Sequence, residues 1–552
     1  MINKKQIRLV LFSFIPTITY IFITFRMHFH SDAATKNILA QEIKRTGQLF
    51  PSDWLFGNAD IWLLYNHLFI VPLLYFFENS FYLHAVSNLI FALLLLFSLL
   101  YFLHAAKLRT APGFLLIPLT FSGISPFMAE NLFGVVSYGY AWGLLILLLT
   151  FGHYFHYYSA SKLRPGSFAQ WAGLMVMAGI YFACGITGIR GLFSFLIPLI
   201  GTQILCEAIK YIKGRATPQY INTTFMGILI LSWLCGYCIN QFLLNDLHFL
   251  NISATVVFVD FETILSNFKM FVQGYLFSSG LFFIDPSTSA TTFSSLYGLM
   301  IKSSAGAEAL YRFILFSVIF VAPWVMLVRL EKIERYELRF LIVFHSLTFC
   351  LIFFLYIFGS GLALGIGSAR YFFIPQFLSI LIAIFYLDEM RKKFGKRIIH
   401  ITLIALIPLF VFNWKFMIYE GFEYRGNQLQ LIASRHDATA KFLVTENLTH
   451  GYASFWNAEV ISVLSAGKTK IHAVEVNGNG INPFFTLTSK DFYRAERYKG
   501  PTFLMLTDDE YRLAQKQITV FLGKPIRELH FSQYRIMEYQ YNIMQSTIKS
   551  KG

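Results

Sequence analysis

Two sets of residues in this chain have the types and spacing for chemistry. The first lies in RMHFHSDAATKNILAQEIKRTGQLFPSDWLFGNADIWLL (26–64), a polar stretch that directly follows the first apolar run and carries Asp32, Glu42, Asp53 and Asp60. Residues 33–45 have helical character, with Ala34, Ile38 and Ile43 on one side. Asp32 therefore falls near a helix N-terminus, where the dipole favours an ionised carboxylate. An N-cap role for Ser31 or Asp32 is the competing, structural use of the same position. His28, His30 and Asp32 form an H-x-H-x-D run whose side chains share one face of an extended chain. That set suits a divalent ion, but paired histidines are also common at a membrane interface, and no metal is assigned. The second set is Arg190 in TGIRG and Arg370 in GIGSARYFF, the latter followed by Tyr371. Arginine beside lipid is costly unless paired, which marks it as a functional candidate, and its planar fork matches phosphate. Snorkelling to the surface is the alternative use.

The elements that position these residues are membrane helices. Of 552 residues 56% are hydrophobic and 14% charged, where soluble proteins carry about 25% charged. A spanning helix needs about 20 apolar residues. Such runs fall at 7–26, 84–105, 112–128, 134–157, 168–187, 190–209, 223–244, 309–329, 338–358, 371–388 and 398–414, which makes about eleven spans. The opening MINKKQIR precedes an apolar run to about Phe25 without an A-x-A-like cleavage site, which reads as an uncleaved first helix. The net charge of +15 comes largely from basic clusters in alternate loops, at Lys4–Lys5, Lys107–Arg109, Lys162–Arg164, Lys210–Arg215, Arg329–Arg339 and Arg391–Arg397. This is the positive-inside pattern. It puts the N-terminus in the cytoplasm and Asp32, Arg190 and Arg370 on the outer side. No continuous basic face of the kind that binds nucleic acid is present.

Two apolar stretches are not read as spans. IWLLYNHLFIVPLLYFF (61–77) holds Asn66, His67 and Pro72, and as a crossing it would reverse every later loop, so it reads as interfacial or re-entrant. The region 260–300 reads as lying at the outer interface, where Asp246, His248, Asp260, Glu262 and Asp285 line another loop. The five cysteines imply no disulfide framework, and Cys235-x-x-Cys238 sits inside an apolar run. From about 415 the composition changes. PTFLMLTDDEYRLAQ reads as strand, turn with Asp508 and Asp509 able to cap, then helix, and YRIMEYQYNIM alternates like a strand. The fold class is thus an α-helical polytopic membrane protein, spans over 1–414 with a first outer loop at 27–83, ending in a small extracytoplasmic α/β domain at 415–552.

An acidic residue just after the first helix, an amphipathic outer loop and a C-terminal outer domain together resemble the C-type (GT-C) glycosyltransferase superfamily. SDAATKNILAQEIKRTGQLFPSDW (31–54) and HGYASFWNAEVISVLSAGK (450–468) resemble bacterial inner-membrane proteins of that type, linked to surface polysaccharide. The resemblance implies a polyprenyl-phosphate sugar donor and a glycan or lipid-linked glycan acceptor. It implies that Asp32 acts as general base on the acceptor hydroxyl, with inversion. Arg370, Arg190 and Tyr371 then become contacts for the departing phosphate. Asp53, Asp60 and Glu42 become acceptor ligands, or simply stay hydrated. No cofactor is assigned; some members of the superfamily use a divalent cation. Trp456 and Asn457 have the types to stack on and hydrogen-bond a sugar, although a core tryptophan is the commoner use. The rival readings are a transporter or flippase of lipid-linked sugars and a polysaccharide polymerase. No phosphate loop for an ATP-driven pump occurs.

Overall fold

A computed structural model describes residues 4–57, 60–122, 125–159, 168–212, 220–246, 249–250, 257–280, 304–360, 365–420, 422–425, 428–431, 434–478, 480–494 and 496–544. The chain divides into two compact units: residues 1–20, 91–240 and 253–420 form the first, and residues 21–90, 241–252 and 421–552 the second.

The first unit is a bundle of apolar helices. Among the described residues of the whole chain, eight helices are long and apolar enough to cross a membrane: Gln6–Met27, Phe81–Ala105, Leu192–Ile209, Thr224–Leu244, Ala307–Val328, Tyr336–Phe358, Gly367–Phe394 and Arg397–Ile418. The bent pair Ala111–Phe121 and Pro126–Gly134 makes a ninth if it is one span. Apolar helices Gly143–Ser159 and Phe168–Thr187 occupy the two remaining positions of the eleven read from sequence. The protein is a multi-pass membrane protein. Local chemistry sets the helix ends. Thr110 and Ser125 each cap a short helix that has proline in its first turn, accepting from the Gly113 and Met128 N–H groups. Gly395, at φ 73°, ends Phe373–Phe394 in a backbone state that side-chain-bearing residues avoid.

Ring packing fixes the turn that bears Arg370. Tyr356, Ile357 and Phe372 are buried together, with Phe271, Tyr275, Phe349 and Phe353 against them. Phe372 closes the 3-10 turn Ile366–Phe372, so this aromatic cluster anchors the turn while Arg370, two residues earlier, stays exposed. Tyr356 and Ser368 hydroxyls, 2.7 Å apart, tie the turn to the adjoining helix.

The second unit joins the loop after the first helix to the C-terminal region. Its six-stranded sheet runs, edge to edge, Arg527–Phe531, Tyr534–Tyr539, Thr502–Thr507, His450–Ser454, Lys470–Asn477 and Gly480–Pro483. Thr502–Thr507, His450–Ser454 and Lys470–Asn477 are parallel; the outer pairings are antiparallel. Helix Phe455–Leu464 lies between Lys470–Asn477 and the loop helix Ser31–Thr46. That explains why it is apolar although too short to span. Strand Trp54–Gly57 pairs antiparallel with Thr488–Ser489, so the first loop and the tail share a sheet. The strand–helix reading at 501–515 holds, with one change. The cap is Thr507, in a reciprocal capping box with Glu510, while Asp508 and Asp509 occupy the first turn.

The stretch 61–77 forms only the seven-residue helix His67–Leu73, with Pro72 inside it. His248 and Asp285 lie outside the described residues. Asp260 caps helix Phe261–Ser278, accepting from the Thr263 N–H at 2.8 Å.

Candidate functional site

Asp32 stands in the first turn of Ser31–Thr46, a helix that a buried polar network holds in place. The Asn37 amide donates to Asn79 Oδ1 at 2.8 Å, and its Oδ1 lies 2.7 Å from His84 Nδ1. Asn66 Nδ2 in turn donates to Asn88 Oδ1 at 3.0 Å. Buried amides bonded to one another favour this arrangement, although Asn66 Oδ1 and Asn79 Nδ2 stay without a partner among the described residues. Ser31 and Asp32 do not cap the helix. His30 occupies the cap position, and its side chain makes no capping bond to the helix, while Ser31 Oγ donates to the Phe455 carbonyl at 2.5 Å. The turn that carries Asp32 is thereby fixed against the N-terminus of Phe455–Leu464.

Sequence reasoning missed Lys36. One turn beyond Asp32, it is 2% exposed and its ammonium donates to the Asp32 main-chain carbonyl at 2.6 Å. The ammonium also lies 5.5 Å from the Trp62 ring and 5.9 Å from the Tyr65 ring, at cation–π distance. A desolvated ammonium placed this way is a fixed cation beside a half-buried carboxylate-bearing turn. Its i, i+4 spacing from Asp32 was the available signal. Fully buried His67 shares this neighbourhood. Burial, then the nearby Lys36 charge, pushes its pKa down to about 3, so the ring is neutral.

The other loop acids are engaged by the tail. Glu42, 4% exposed, accepts from Arg45 at 2.6 Å and from Arg497 at 3.2 Å. Both arginines also pair with Asp491, Arg45 at 3.0 Å. The four charges close a ring between the loop helix and the turn Lys490–Tyr493. Asp53 pairs with Arg494 at 2.9 Å. Asp60 is buried.

His28, His30 and Asp32 do not make the extended face read from sequence, because the chain enters the helix at Ser31. Among the described residues no three His, Cys, Asp or Glu side chains gather as a metal site. Trp456 departs from the core reading: it is 60% exposed, at the second position of the helix whose first carbonyl Ser31 holds. Asn457 is buried and structural, accepting from the Tyr534 hydroxyl at 2.7 Å and donating to Ser454 Oγ at 2.9 Å.

In the first unit, the π-turn Tyr138–Trp142 separates the two candidate arginines. Tyr140 has the Arg370 guanidinium 5.9 Å from its ring centroid and the Tyr371 ring at 6.4 Å. Tyr138 packs against Gly191, the neighbour of Arg190, where a Cβ would collide with the tyrosine hydroxyl. Gly188, at φ 134°, makes the turn into Arg190. Arg190 is half-buried, Arg370 exposed and Tyr371 half-buried.

No protein-family model and no curated protein matches the sequence. Solved structures do. ArnT from Cupriavidus metallidurans, in its apo state, superimposes with a TM-score of 0.50 over 96% of this chain and 97% of its own, at 10% identity. The same protein bound to undecaprenyl phosphate gives 0.49, with 96% and 97% covered, at 11% identity. An oligosaccharyltransferase from Archaeoglobus fulgidus gives 0.48 over 92% of this chain and 69% of its own, at 11% identity. The chain has the GT-C-type fold, a helical membrane part with a small sheet domain toward its C-terminus.

Proposed function

We propose that the protein is a membrane glycosyltransferase that moves a sugar from a polyprenyl-phosphate donor to a cell-surface glycan or its lipid-linked precursor, on the outer face of a bacterial inner membrane. The observation that carries this reading is Asp32 itself: a half-buried carboxylate in the first turn of a helix held by buried hydrogen bonds, with the Lys36 ammonium bonded to the Asp32 main-chain carbonyl. In the reaction Asp32 takes the acceptor hydroxyl proton as the oxygen attacks the anomeric carbon. The bond from that carbon to the phosphate oxygen breaks, configuration inverts, and polyprenyl phosphate leaves with the electron pair. Arg370, Arg190 and Tyr371 hold the phosphate as its charge grows. Asp60, Asp53 and Glu42 are assigned to the acceptor in this reading; Asp53 and Glu42 also pair with Arg494 and Arg497.

The test is sugar transfer by purified protein in nanodiscs from a panel of polyprenyl-phosphate sugars. Asp32→Asn is expected to lower kcat at least a hundredfold with the fold unchanged, and Arg370→Ala to lower kcat/KM for the donor about tenfold or more. Equal transfer by wild type and Asp32→Asn sinks the assignment.

One observation favours the transport reading. Arg312, 1% exposed inside the span Ala307–Val328, pairs with Glu308 at 2.8 Å and with Asn413 at 2.9 Å. Buried charged residues within spans are functional candidates, transport pathways among them. Movement of lipid-linked sugar across vesicles by a protein that transfers none, lost in Arg312→Met, would select that reading.

A further inference from the structure

A cavity of about 790 Å³ lies within the second unit, apart from the turn that bears Asp32. Its volume is within the range of about 300–1,000 Å³ typical of small-molecule clefts. The later part of the loop helix, with Ile38 and the Glu42–Arg45–Arg497 cluster, lines it together with the first residues of the adjacent strands His450–Ser454 and Lys470–Asn477. The stacked pair His450 and Tyr498, with ring centroids 3.8 Å apart, forms a flat wall of the kind that receives the apolar face of a sugar.

The geometry points to this cavity as a binding subsite for an acidic saccharide, a carboxylate-bearing unit of the acceptor glycan. This rests on the glycosyltransferase reading above and names its acceptor class. The first support is Glu459. It lines the cavity, is 2% exposed, and its Oε2 has no hydrogen-bond partner among the described residues. A buried polar atom without a partner loses most of a hydrogen bond's free energy, which leaves this part of the cavity wall polar and uncompensated by the protein. Burial holds the Glu459 carboxyl up at about pKa 8, so at neutral pH it is uncharged and able to donate as well as accept.

The second support is charge. The lining acid Glu42 is neutralised within its ring of arginines. His450 and His472 are neutral, with pKa values pushed down to about 4 and about 3 by burial and then by neighbouring cations. Lys468 and Lys470, with Lys44, whose ammonium donates to the Leu74 carbonyl at 2.6 Å, face Glu78 as the remaining lining acid, and no ion pair engages them among the described residues. Lys468 and Lys470 are exposed at the rim. A neutral sugar would leave this positive excess unused, whereas a carboxylate would complement it.

The experiment uses the full-length protein in nanodiscs and reads saccharide binding by saturation-transfer NMR with competition. The probes are a glucuronic-acid-containing disaccharide and its neutral glucose counterpart. The acidic probe is expected to bind at least tenfold tighter than the neutral one. Lys468→Glu with Lys470→Glu, both solvent-facing and harmless to the fold, should abolish that preference. Glu459→Gln should bind within about threefold of wild type, because the amide still donates, whereas Glu459→Leu should weaken both probes. Neither probe binding at millimolar concentration, or a preference that survives the double lysine change, overturns the subsite. Asp32→Asn should bind both probes as wild type does. If Asp32→Asn still transfers sugar while the lysine dependence holds, the catalytic reading fails and the subsite stands.

Discussion

Arg497 donates to Glu42 at 3.2 Å across 455 residues of sequence, and so locks the C-terminal region to the helix that follows the first membrane span. Asp491 and Arg45 close the contact into a ring. Glu42 is buried and Asp491 half-buried, with side chains 5% and 16% exposed, while the arginines reach solvent. The interaction therefore lies between an exposed pair, worth well under 1 kcal/mol, and a fully buried one.

Glu42→Ala removes one of the two carboxylates that both arginines share. It is expected to destabilise this unit by about 1–3 kcal/mol. Limited proteolysis of the loop between 26 and 64 and thermal unfolding in detergent both read this. The loss should shrink in Glu42→Ala/Arg497→Met relative to the sum of the single variants, since those two effects share one contact. A strictly additive cycle would show that the ring does no mechanical work.

Lys36→Met keeps the length and apolar stem of the side chain between Trp62 and Tyr65 while deleting the ammonium. Methionine removes the desolvation cost of the buried charge along with its hydrogen bond to the Asp32 carbonyl, so stability should stay within about 1 kcal/mol of wild type or rise. Transfer activity is expected to fall at least tenfold, because the cation bonded to the Asp32 carbonyl is gone. Wild-type turnover in Lys36→Met would confine the residue to packing.

Trp456→Ala separates binding from architecture. An indole that is 60% exposed contributes little to the fold, so unfolding should shift by no more than about 0.5 kcal/mol. If the indole receives the acceptor sugar beside Asp32, KM for the acceptor rises severalfold with kcat near wild type, and Trp456→Phe restores most of the loss. A large drop in thermal stability would instead return Trp456 to a core role.

What was legible in the sequence follows from the range of the interactions involved. The spans were readable because lipid imposes one rule on some 20 consecutive residues. The helical loop around Asp32 was readable from local periodicity, and the strand–helix at Thr502–Leu522 from its pattern. Asp508 and Asp509 are both able to cap, but Thr507 holds the position by its spacing to Glu510, which completes a reciprocal pair. Contacts between distant segments were not readable. Nothing near Glu42 announces Arg497, and nothing in SFWNAEV tells the exposed Trp456 from its buried neighbour Asn457. Lys36 was hidden differently. A lone lysine on a polar helix reads as solvated, and only Trp62 and Tyr65, brought in by the fold, show that it is enclosed.

Glu459 gives a pH dependence whose sign can be worked out. Its carboxyl, ordinarily near 4.5, is raised by burial to about 8 in the folded protein. Between those values the folded state holds a proton that the unfolded state has released. Stability from this group is therefore intact below about pH 4.5, declines as pH rises toward 8, and levels off above it. The full span corresponds to on the order of 4–5 kcal/mol, as an upper bound for a group with no relaxation. Glu459→Gln keeps the shape and the hydrogen-bonding capacity without a titrating proton. It is expected to match wild type near pH 5 and to exceed it at pH 8.5, with the gap opening across that interval. Thermal unfolding of both proteins at four or five pH values measures this directly. A constant offset between the two would mean that Glu459 is already ionised at neutral pH, and the cavity floor would then carry a negative charge instead of a neutral donor.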